Sequence, residues 1–280
     1  MKPETVLITG CSSGIGRATA RAFLDEDWIV YATARNPADV ETLGEEGCAI
    51  ATLDVTDDGD VERVVSRMID EEGKIDCLVN NAGYGQLGPI EDVPVDQVHR
   101  QFDVNVYGPH RLTRAVLPHM RERESGTIVN VSSVAGRVSF PFGGVYSGSK
   151  FALEAMTDAL RAEVAEYGID AVLIEPGPVE TSFAERTAAE VTDEGDVPGV
   201  ERSGAYEKFY ELFEDRRAIG GGGPGAVPPE RVAEDVLNAA SATKPASRYP
   251  VGIVGRAGVL GRLLPDSVRD DLFRLARKLT

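Results

Sequence analysis

The amino-acid sequence predicts an α/β protein in which a parallel sheet lies between two layers of helices. Short apolar runs alternate with amphipathic helical patterns from residue 5 to residue 175. The runs are apolar almost throughout, which is typical of parallel strands buried on both faces. No linker interrupts the alternation, so we expect the 280 residues to form a single domain with a sizeable core.

The strands predicted in this part are residues 5–9, 29–33, 49–53, 77–80, 127–132 and 171–175. Each consists mainly of β-branched and other apolar residues. The helices predicted between them are residues 15–24, 57–71, 94–120 and about 145–167, where apolar residues recur at spacings of three and four. Strands that alternate with helices in this way predict parallel strands joined by helical crossovers.

The pattern becomes irregular after Glu175. A polar, glycine-rich stretch of about residues 182–228 predicts a substrate-binding lid, because long irregular segments in compact domains are usually functional or disordered. A short helix inside the lid is predicted by apolar residues at helical spacing: Tyr206, Phe209, Tyr210, Leu212 and Phe213. A helix over residues 228–240 follows. In the C-terminal extension, about residues 248–280, the residue pattern predicts a strand at 248–254 and an amphipathic helix from Asp266.

Composition excludes several classes of function. The chain carries 29 basic and 46 acidic residues, a net charge of −17, which argues against nucleic acid as a partner because phosphate needs a basic face. No apolar run approaches the roughly 20 residues that cross a bilayer, and the N-terminus lacks a signal-peptide pattern. We therefore expect a cytoplasmic protein. Three cysteines without CxxC spacing and three histidines without ligand spacing predict neither disulfides nor a metal site.

The basic residues are 23 arginines and only six lysines. Acid-rich, lysine-poor compositions resemble those of proteins from salt-loving organisms. An acidic mesophile protein encoded by a GC-rich genome has the same composition, so both interpretations stay open.

A glycine-rich turn joins the first strand to the first helix. It reads TGCSSGIG at residues 9–16. Its glycines permit a tight turn and close approach of the backbone to a pyrophosphate, whose charge meets the free N–H groups of the helix N-terminus. The spacing is GxxxGxG rather than GxGxxG, and a flexible strand-to-helix turn would also suit it. Its position after the first strand favours a nucleotide site, and with it a Rossmann-type doubly wound sheet.

The end of the second strand selects the cofactor in such folds. An acid there accepts the ribose 2′-OH of NAD, whereas an arginine accommodates the 2′-phosphate of NADP. Here Arg35 follows the strand, and no acid occurs before Asp39. Arg35 therefore predicts NADP(H), with NAD(H) as the alternative. The competing interpretation is an exposed arginine that pairs with a neighbouring acid.

Further candidates lie at other strand ends, where open α/β sheets bind ligands. Asp54 and Val55 follow the third strand, and Asn81, Ala82 and Gly83 follow the fourth, although each group also suits an ordinary turn.

A pair of ionisable residues lies on the helix after the fifth strand. Tyr146 and Lys150 are four residues apart and share one helical face. An adjacent ammonium stabilises a phenolate and brings the tyrosine pKa toward the working range. Ser132 and Ser133 end the preceding strand, where a hydroxyl can hydrogen-bond a substrate carbonyl.

Together these motifs resemble the short-chain dehydrogenase/reductase family in its single-domain branch. TGCSSGIG, NNAG, FDVNV, IVNVSS, YSGSK and Glu175–Pro176–Gly177 stand in the family's order and at its spacings, from residue 5 to about 181. Stretches near residues 81–90 and 248–252 resemble the subgroup that contains hydroxysteroid and retinol dehydrogenases. The basic residue sometimes found in the family's glycine turn is absent, with Ser13 at that position.

The resemblance implies a role for each matching residue. Ser133 would orient the substrate, with Ser132 as the less favoured candidate, and Tyr146 would donate or accept the proton. Lys150 would hold the nicotinamide ribose and lower the tyrosine pKa, while Asn105 would position a water in a proton relay. The residues that would line the cofactor are Gly10, Ser12, Ser13, Ile15, Gly16, Asp54, Val55, Asn81, Ala82, Gly83, Pro176, Gly177, Val179 and Thr181.

The sequence thus predicts an NADP(H)-dependent oxidoreductase that interconverts an alcohol and a ketone or aldehyde. The lid residues either pack the lid onto the sheet or line the cleft, and in the second case the substrate is neutral and largely apolar. We also expect a homodimer or homotetramer. The alternatives are an NAD-dependent or non-redox member of the family, and a nucleotide-sensing protein without turnover.

Overall fold

The structure, a computed structural model, describes residues 3–183, 202–214, 225–262 and 264–271. Within this part, seven parallel strands form one sheet in the order β3-β2-β1-β4-β5-β6-β7. The strands are β1 Thr5–Ile8, β2 Ile29–Ala34, β3 Ala49–Thr52, β4 Cys77–Asn80, β5 Gly126–Val131, β6 Ile169–Pro176 and β7 Arg248–Val251.

Helices cover both faces of the sheet. They are α1 Gly14–Asp25, α2 Glu41–Glu46, α3 Asp58–Glu72, α4 Val95–Phe102, α5 Gly108–Glu122, α6 Gly144–Val164, α7 Glu207–Glu214, α8 Pro229–Ser241 and α9 Gly252–Gly261. Short 3-10 turns occupy Pro37–Val40, Val134–Gly136 and Ala165–Tyr167, and a π-helical segment, Asp103–Tyr107, joins α4 to α5.

Two apolar cores lie on opposite faces of the sheet because successive strand residues point in opposite directions. Val6 and Ile8 of β1 pack with α1 and α8 on one face, whereas Leu7 packs with α3 and α5 on the other. Each fully buried side chain of this size contributes about 1.5–3 kcal/mol, so both layers of helices are held to the sheet by burial. The predicted three-layer, doubly wound α/β architecture is confirmed.

The strand order also fixes where a ligand can enter. From β1 the chain winds outward to β2 and β3, and then returns to β4 on the other side of β1. The loops that leave β1 and β4 therefore diverge and open a crevice at the carboxyl edge of the sheet. The glycine turn and the NNAG motif both lie at this crevice.

Three elements differ from the prediction. The last strand ends at Val251, and the residues predicted to extend it to 254 begin α9 instead. Gly252 has φ +77°, a left-handed conformation that turns the chain out of the sheet. The helix predicted over 94–120 is continuous but contains the π-helical segment. Helix α2 was not predicted, since its six residues carry few apolar side chains.

Much of the predicted lid, residues 184–201 and 215–224, lies outside the described residues. The helix predicted within it is present as α7. The C-terminal chain is helical over residues 266–271, and the rest of that predicted helix lies outside the described part. Among the described residues, no helix has both the length and the apolar character that crossing a membrane requires.

Candidate active site

The glycine turn after β1 is shaped by contacts that leave no room for side chains. Gly10 has φ +73°, and a Cβ there would lie 2.9 Å from the Cα of Ala82. Gly14 has φ +53° and lies directly against Thr181, while Gly16 packs on the carbonyl of Gly10. The turn therefore holds backbone N–H groups at the start of α1 without side chains in front of them. This cradle fits the pyrophosphate of a dinucleotide.

The loops after β1 and β4 are tied together beneath this cradle. The Thr9 hydroxyl accepts hydrogen bonds from the backbone N–H groups of Asn81 and Ala82, both at 3.0 Å. The Asn81 amide in turn donates to the carbonyls of Thr9 at 2.9 Å and Gly10 at 3.1 Å. These four bonds fix the width of the crevice, and Thr9 and Asn81 thus act as its framework.

The adenosine end of the crevice is formed by the ends of β2 and β3. Arg35 is exposed there and makes no ion pair or hydrogen bond with any residue in the described ranges. The Asp54 carboxylate accepts bonds from the N–H and hydroxyl of Thr56, and Val55 is buried beneath Gly108. The exposed guanidinium is therefore available to a phosphate at this end.

Two serines and one isoleucine border the same end. Ser12, Ser13 and Ile15 are each half-buried in the turn or the first residues of α1. The Ser182 hydroxyl donates to that of Ser13 at 3.2 Å, which brings the segment after β6 against the glycine turn. This hydrogen bond places the end of the predicted nicotinamide segment next to the glycine turn.

Arg17, one turn into α1, is a residue that sequence reasoning missed. Its guanidinium donates to the carbonyl of Ser12 at 2.5 Å and to that of Asp39 at 2.7 Å. The arginine therefore joins the glycine turn to the loop after β2. Its position four residues after Ser13 on a helix was the available signal.

The π-helical segment turns Asn105 into the interior. The Asn105 amide oxygen accepts a bond from the N–H of Tyr84 at 3.2 Å, and its nitrogen donates to the Tyr84 carbonyl at 3.0 Å and the Ser149 hydroxyl at 3.2 Å. π-Helical segments are frequent at functional sites because the extra residue redirects a side chain. A Cβ on Gly83 would lie 3.1 Å from the Asn105 amide oxygen and 3.8 Å from the Lys150 ammonium. The structure thus brings these three residues together.

Lys150 is buried at the floor of the crevice. Its ammonium donates to the carbonyl of Val131, the last residue of β5, at 2.9 Å. Burial lowers the pKa of Lys150 to about 8, and the Glu154 carboxylate opposes that shift. The lysine is consequently poised to change charge only slightly above neutral pH.

Tyr146 lies one turn before Lys150, and the lysine ammonium is 5.9 Å from the centroid of its ring. Burial raises the pKa of Tyr146 to about 12, and a hydrogen bond with the Ser133 hydroxyl acts in the opposite direction. The resemblance implies a lowered pKa for the tyrosine. In the chain without a cofactor, the pKa of Tyr146 is raised instead, because desolvation of the phenolate outweighs the hydrogen bond with Ser133. Ser133 also accepts a bond from the N–H of Ala135 at 3.1 Å, which holds its hydroxyl facing Tyr146.

The segment after β6 forms the far wall of the crevice. β6 ends at Pro176, and the N–H of Gly177 donates to the Val251 carbonyl at 3.1 Å. Val179 pairs with Val227, and Thr181 contacts Gly14 as described above. The end of this segment lies between the glycine turn and Tyr146, since Thr181 contacts Gly14 and Phe183 lies beside the Tyr146 ring. That the segment holds the nicotinamide stays a prediction.

An aromatic cluster extends from Tyr146 to the lid helix. The residues that form it are Leu87, Phe140, Phe142, Tyr146, Tyr206, Phe209 and Tyr210. Tyr210 and Phe142 meet edge to face with centroids 5.2 Å apart, and Phe183 lies 5.7 Å from Tyr146. Tyr206, Phe209 and Tyr210 of the predicted aromatic stripe therefore pack in the same cluster as Tyr146. The side chains of Leu212 and Phe213 lie outside the described part.

Comparison with known proteins gives a consistent family. Residues 4–192 match the family model described as short chain dehydrogenase. The chain is 37% identical to the uncharacterized oxidoreductase YbbO of Escherichia coli over 97% of its length and 94% of the relative's. It is 38% identical to human 17-beta-hydroxysteroid dehydrogenase type 1, covering 89% of this chain and 77% of the relative. It is 36% identical to human retinol dehydrogenase 8, covering 90% of this chain and 82% of the relative.

Solved structures agree with this relationship. A short-chain dehydrogenase from Streptomyces avermitilis superposes with a TM-score of 0.81 and 33% identity, covering 99% of this chain and 97% of that one. The protein ElxO, solved with NADP bound, superposes with a TM-score of 0.70 and 25% identity, covering 89% of this chain and 96% of that one. The chain belongs to the short-chain dehydrogenase/reductase family and is an NAD(P)-dependent oxidoreductase acting on CH–OH groups.

Proposed function

We propose that the protein is an NADP(H)-dependent enzyme that interconverts an alcohol with a ketone or aldehyde on a neutral, largely apolar substrate. The observation that carries this proposal is the convergence of Ser133, Tyr146 and Lys150 at the crevice, beside the aromatic cluster. Hydroxyls, a buried ammonium and an apolar wall are together suited to carbonyl chemistry on an apolar molecule.

The proposed chemistry divides between cofactor and protein. The nicotinamide, when bound, supplies or accepts the hydride. Tyr146 remains a phenol at neutral pH in the chain alone, and therefore has a proton to donate to a carbonyl oxygen during reduction. The Ser133 hydroxyl, next to it, donates a second hydrogen bond to the same oxygen and stabilises the charge that develops there.

In the proposed proton transfer, Lys150 stabilises the anion that forms on Tyr146. Its ammonium lies 5.9 Å from the centroid of the Tyr146 ring, and its charge would stabilise the phenolate once Tyr146 has given up its proton. Asn105 and Gly83 border the same space, so a relay from the lysine toward this asparagine is the role we propose for them.

The preference for NADP(H) is supported by Arg35, exposed at the adenosine end without a competing acid partner in the described ranges. NAD(H) remains the alternative cofactor. The presence of both Tyr146 and Lys150 favours an enzyme over a nucleotide-sensing protein without turnover.

The preference for an apolar substrate is supported by the aromatic cluster. An unpaired charge buried against such side chains would cost several kcal/mol. Among the relatives are proteins named for hydroxysteroids and retinol, both of which are apolar.

The test is turnover of a carbonyl panel with NADPH, followed by absorbance at 340 nm. We expect a higher kcat/KM for a bulky neutral ketone than for an anionic keto acid of similar size, and a lower Kd for NADPH than for NADH. A higher kcat/KM for the anion would overturn the substrate class without touching the catalytic residues. Absence of turnover with every compound, together with tight NADPH binding, would favour the nucleotide-sensing alternative.

We also propose a homodimer or homotetramer in a reducing, cytoplasmic compartment. Tyr107, Phe151 and Met156 are exposed apolar side chains near or on α5 and α6, which supports an interface there. The three cysteines are free and buried, which suits a compartment where disulfides are rare. Light scattering after size exclusion measures the number of chains.

A further inference from the structure

A buried group of charged side chains lies behind the catalytic helix, and the proposed reaction does not use it. Glu154 is 3% exposed and Glu175 is not exposed at all. The Arg248 Nε lies 3.3 Å from the Glu154 carboxylate and 3.0 Å from that of Glu175. Arg137 lies 3.6 Å from the first and 3.7 Å from the second. The exposed Asp158 borders the group and pairs with Arg248 at 2.6 Å.

The four inner members, Arg137, Glu154, Glu175 and Arg248, come from four different elements. Arg137 follows the turn that begins at Ser133, and Glu154 lies one helical turn after Lys150 on α6. Glu175 directly precedes Pro176, at the start of the proposed nicotinamide segment. Arg248 begins β7. The group therefore joins the elements that carry the serine, the lysine and the nicotinamide segment.

The group leaves several buried polar atoms without a hydrogen bond in the described part of the chain, and the Arg137 Nε is one of them. The Arg248 Nε–H is directed at Glu154, so both oxygens of Glu175 and one of Glu154 lack a hydrogen bond within the described part of the chain. Two buried carboxylates side by side are most stable when they share one proton, which supplies a donor and removes one charge. In agreement, burial and the neighbouring Glu154 raise the pKa of Glu175 well above the ordinary value for glutamate.

We propose that Glu154 and Glu175 share one proton and act as a positioning pair that sets the charge on Lys150. As pH rises, the pair releases its proton to water, and the added negative charge holds the Lys150 ammonium in its charged form. Without this negative charge, burial would neutralise Lys150 close to the neutral pH at which its positive charge is needed. The pair thereby extends the alkaline range over which Lys150 stabilises the tyrosine, and this role rests on the proposed function of that lysine.

The other charged groups around Lys150 are consistent with this assignment. Tyr146, Glu154 and the exposed Asp158 lie on the same helix as Lys150, and the charged groups on neighbouring elements are Arg137, Glu175 and Arg248. Both arginines would favour the neutral form of the lysine. Among these groups, the negative charge that keeps Lys150 charged despite its burial comes from the two glutamates and, at a greater distance, from Asp158. Glu154, one turn from the lysine, is the member that acts on it directly.

The test follows the titration of Lys150 itself. The chain has six lysines, so 13Cε-lysine labelling gives few resonances, and Lys150→Arg assigns the one of interest. In the isosteric variant Glu154→Gln, we expect the Lys150 midpoint to fall by about one pH unit, a tenfold change in proton affinity. Glu175→Gln should lower it in the same direction. Asp158→Asn, at the exposed rim of the group, is the matched control and should shift the midpoint much less than Glu154→Gln. Equal midpoints in wild type and both glutamine variants would overturn the proposal.

A second readout tests the shared proton without any turnover. A carboxyl whose pKa is raised by folding stabilises the protein at low pH, and loses that contribution as pH rises above the ordinary glutamate range. Glu175→Gln should therefore flatten the fall in urea-unfolding free energy between acid and mildly alkaline pH. A slope identical to wild type would show that the pair holds no shared proton. Neither readout depends on a substrate, so failure of the proposed reaction is separately visible in the carbonyl panel.

Discussion

At the scale of single residues, the proposed chemistry depends on a half-buried tyrosine and a buried lysine. Burial favours the neutral form of each, so Tyr146 holds its proton as a phenol while Lys150 loses its charge near pH 8. The two side chains therefore act in opposite senses, one as a proton donor and the other as a support for the anion that remains. Removing the hydroxyl alone isolates the first of these roles.

We expect Tyr146→Phe to lower kcat by about 10²–10⁴-fold, because general acid–base catalysis contributes on this order. The Kd for NADPH should stay nearly unchanged, since the ring remains to pack beside Phe183. Steady-state kinetics and a fluorescence titration of NADPH measure the two quantities. A variant that kept more than a few per cent of the wild-type rate would remove Tyr146 from its role.

Arg35→Ala isolates the cofactor preference. Loss of a charge-assisted bond to the 2′-phosphate should weaken NADPH binding by about tenfold or more, while NADH binding changes little. Calorimetric titration of both cofactors measures this. Arg17→Ala is a useful comparison, because Arg17 holds backbone carbonyls of the turn and its loss should weaken both cofactors alike. Equal losses from Arg35→Ala would show that Arg35 does not read the phosphate.

At the scale of elements, sequence reasoning succeeded where the signal is local. The first six strands, the glycine turn and the Tyr146–Lys150 face are set by neighbours within a few residues, and the structure has them within about two residues of the predicted positions. The π-helical segment around Asn105 was missed, because the same apolar spacing fits a regular helix. The pair Glu154 and Glu175 was missed too, since strand and helix positions in sequence do not reveal which buried charges meet.

The lid helix α7 is held by two hydrogen bonds from tyrosine to carboxylate. The Tyr210 hydroxyl donates to the buried Asp92 at 2.9 Å, and the Tyr206 hydroxyl donates to the exposed Glu91 at 2.6 Å. Arg202 lies over the Tyr210 ring at 4.1 Å from its centroid. These contacts fasten the aromatic cluster to the segment before α4.

Tyr210→Phe should therefore raise KM for an apolar ketone several-fold, with little change in kcat. Leaving the buried Asp92 without its donor costs about 1–3 kcal/mol, and α7 is then held less firmly against the site. Tyr206→Phe is the control, because its partner is exposed and water replaces the lost bond. Equal effects of the two variants on KM would show that the buried bond does not position the cluster.

At the scale of the whole molecule, one parallel sheet gathers distant segments at a single edge. The glycine turn, the Asn81 loop, Ser133 and Gly177 all follow the carboxyl ends of strands. Because that topology follows from the alternating pattern, the location of the site was predictable. The substrate was not, since it depends on how the lid packs, and lid sequences carry little periodic signal.

Surface charge is the last property at this scale. With 46 acidic and 29 basic residues the folded chain repels itself, and the repulsion is relieved when salt shortens the Debye length to about 3 Å at 1 M. Salt also weakens surface pairs such as Arg21–Glu46, but exposed pairs contribute little, so the repulsion should dominate.

We therefore expect the Tm to rise steeply between 0.1 M and 2 M KCl, by about 2–4 °C for each kcal/mol gained. Differential scanning fluorimetry with KCl measures this, and sucrose at matched water activity is the control. Sucrose is excluded from the protein surface and therefore stabilises the folded state, which exposes less surface than the unfolded chain. Salt also screens the repulsion between charges. A rise in Tm with KCl that greatly exceeds the rise with sucrose therefore identifies screening. A Tm that stays flat in KCl would mean that the acidic surface is not an adaptation to salt, which favours the mesophile interpretation of the composition.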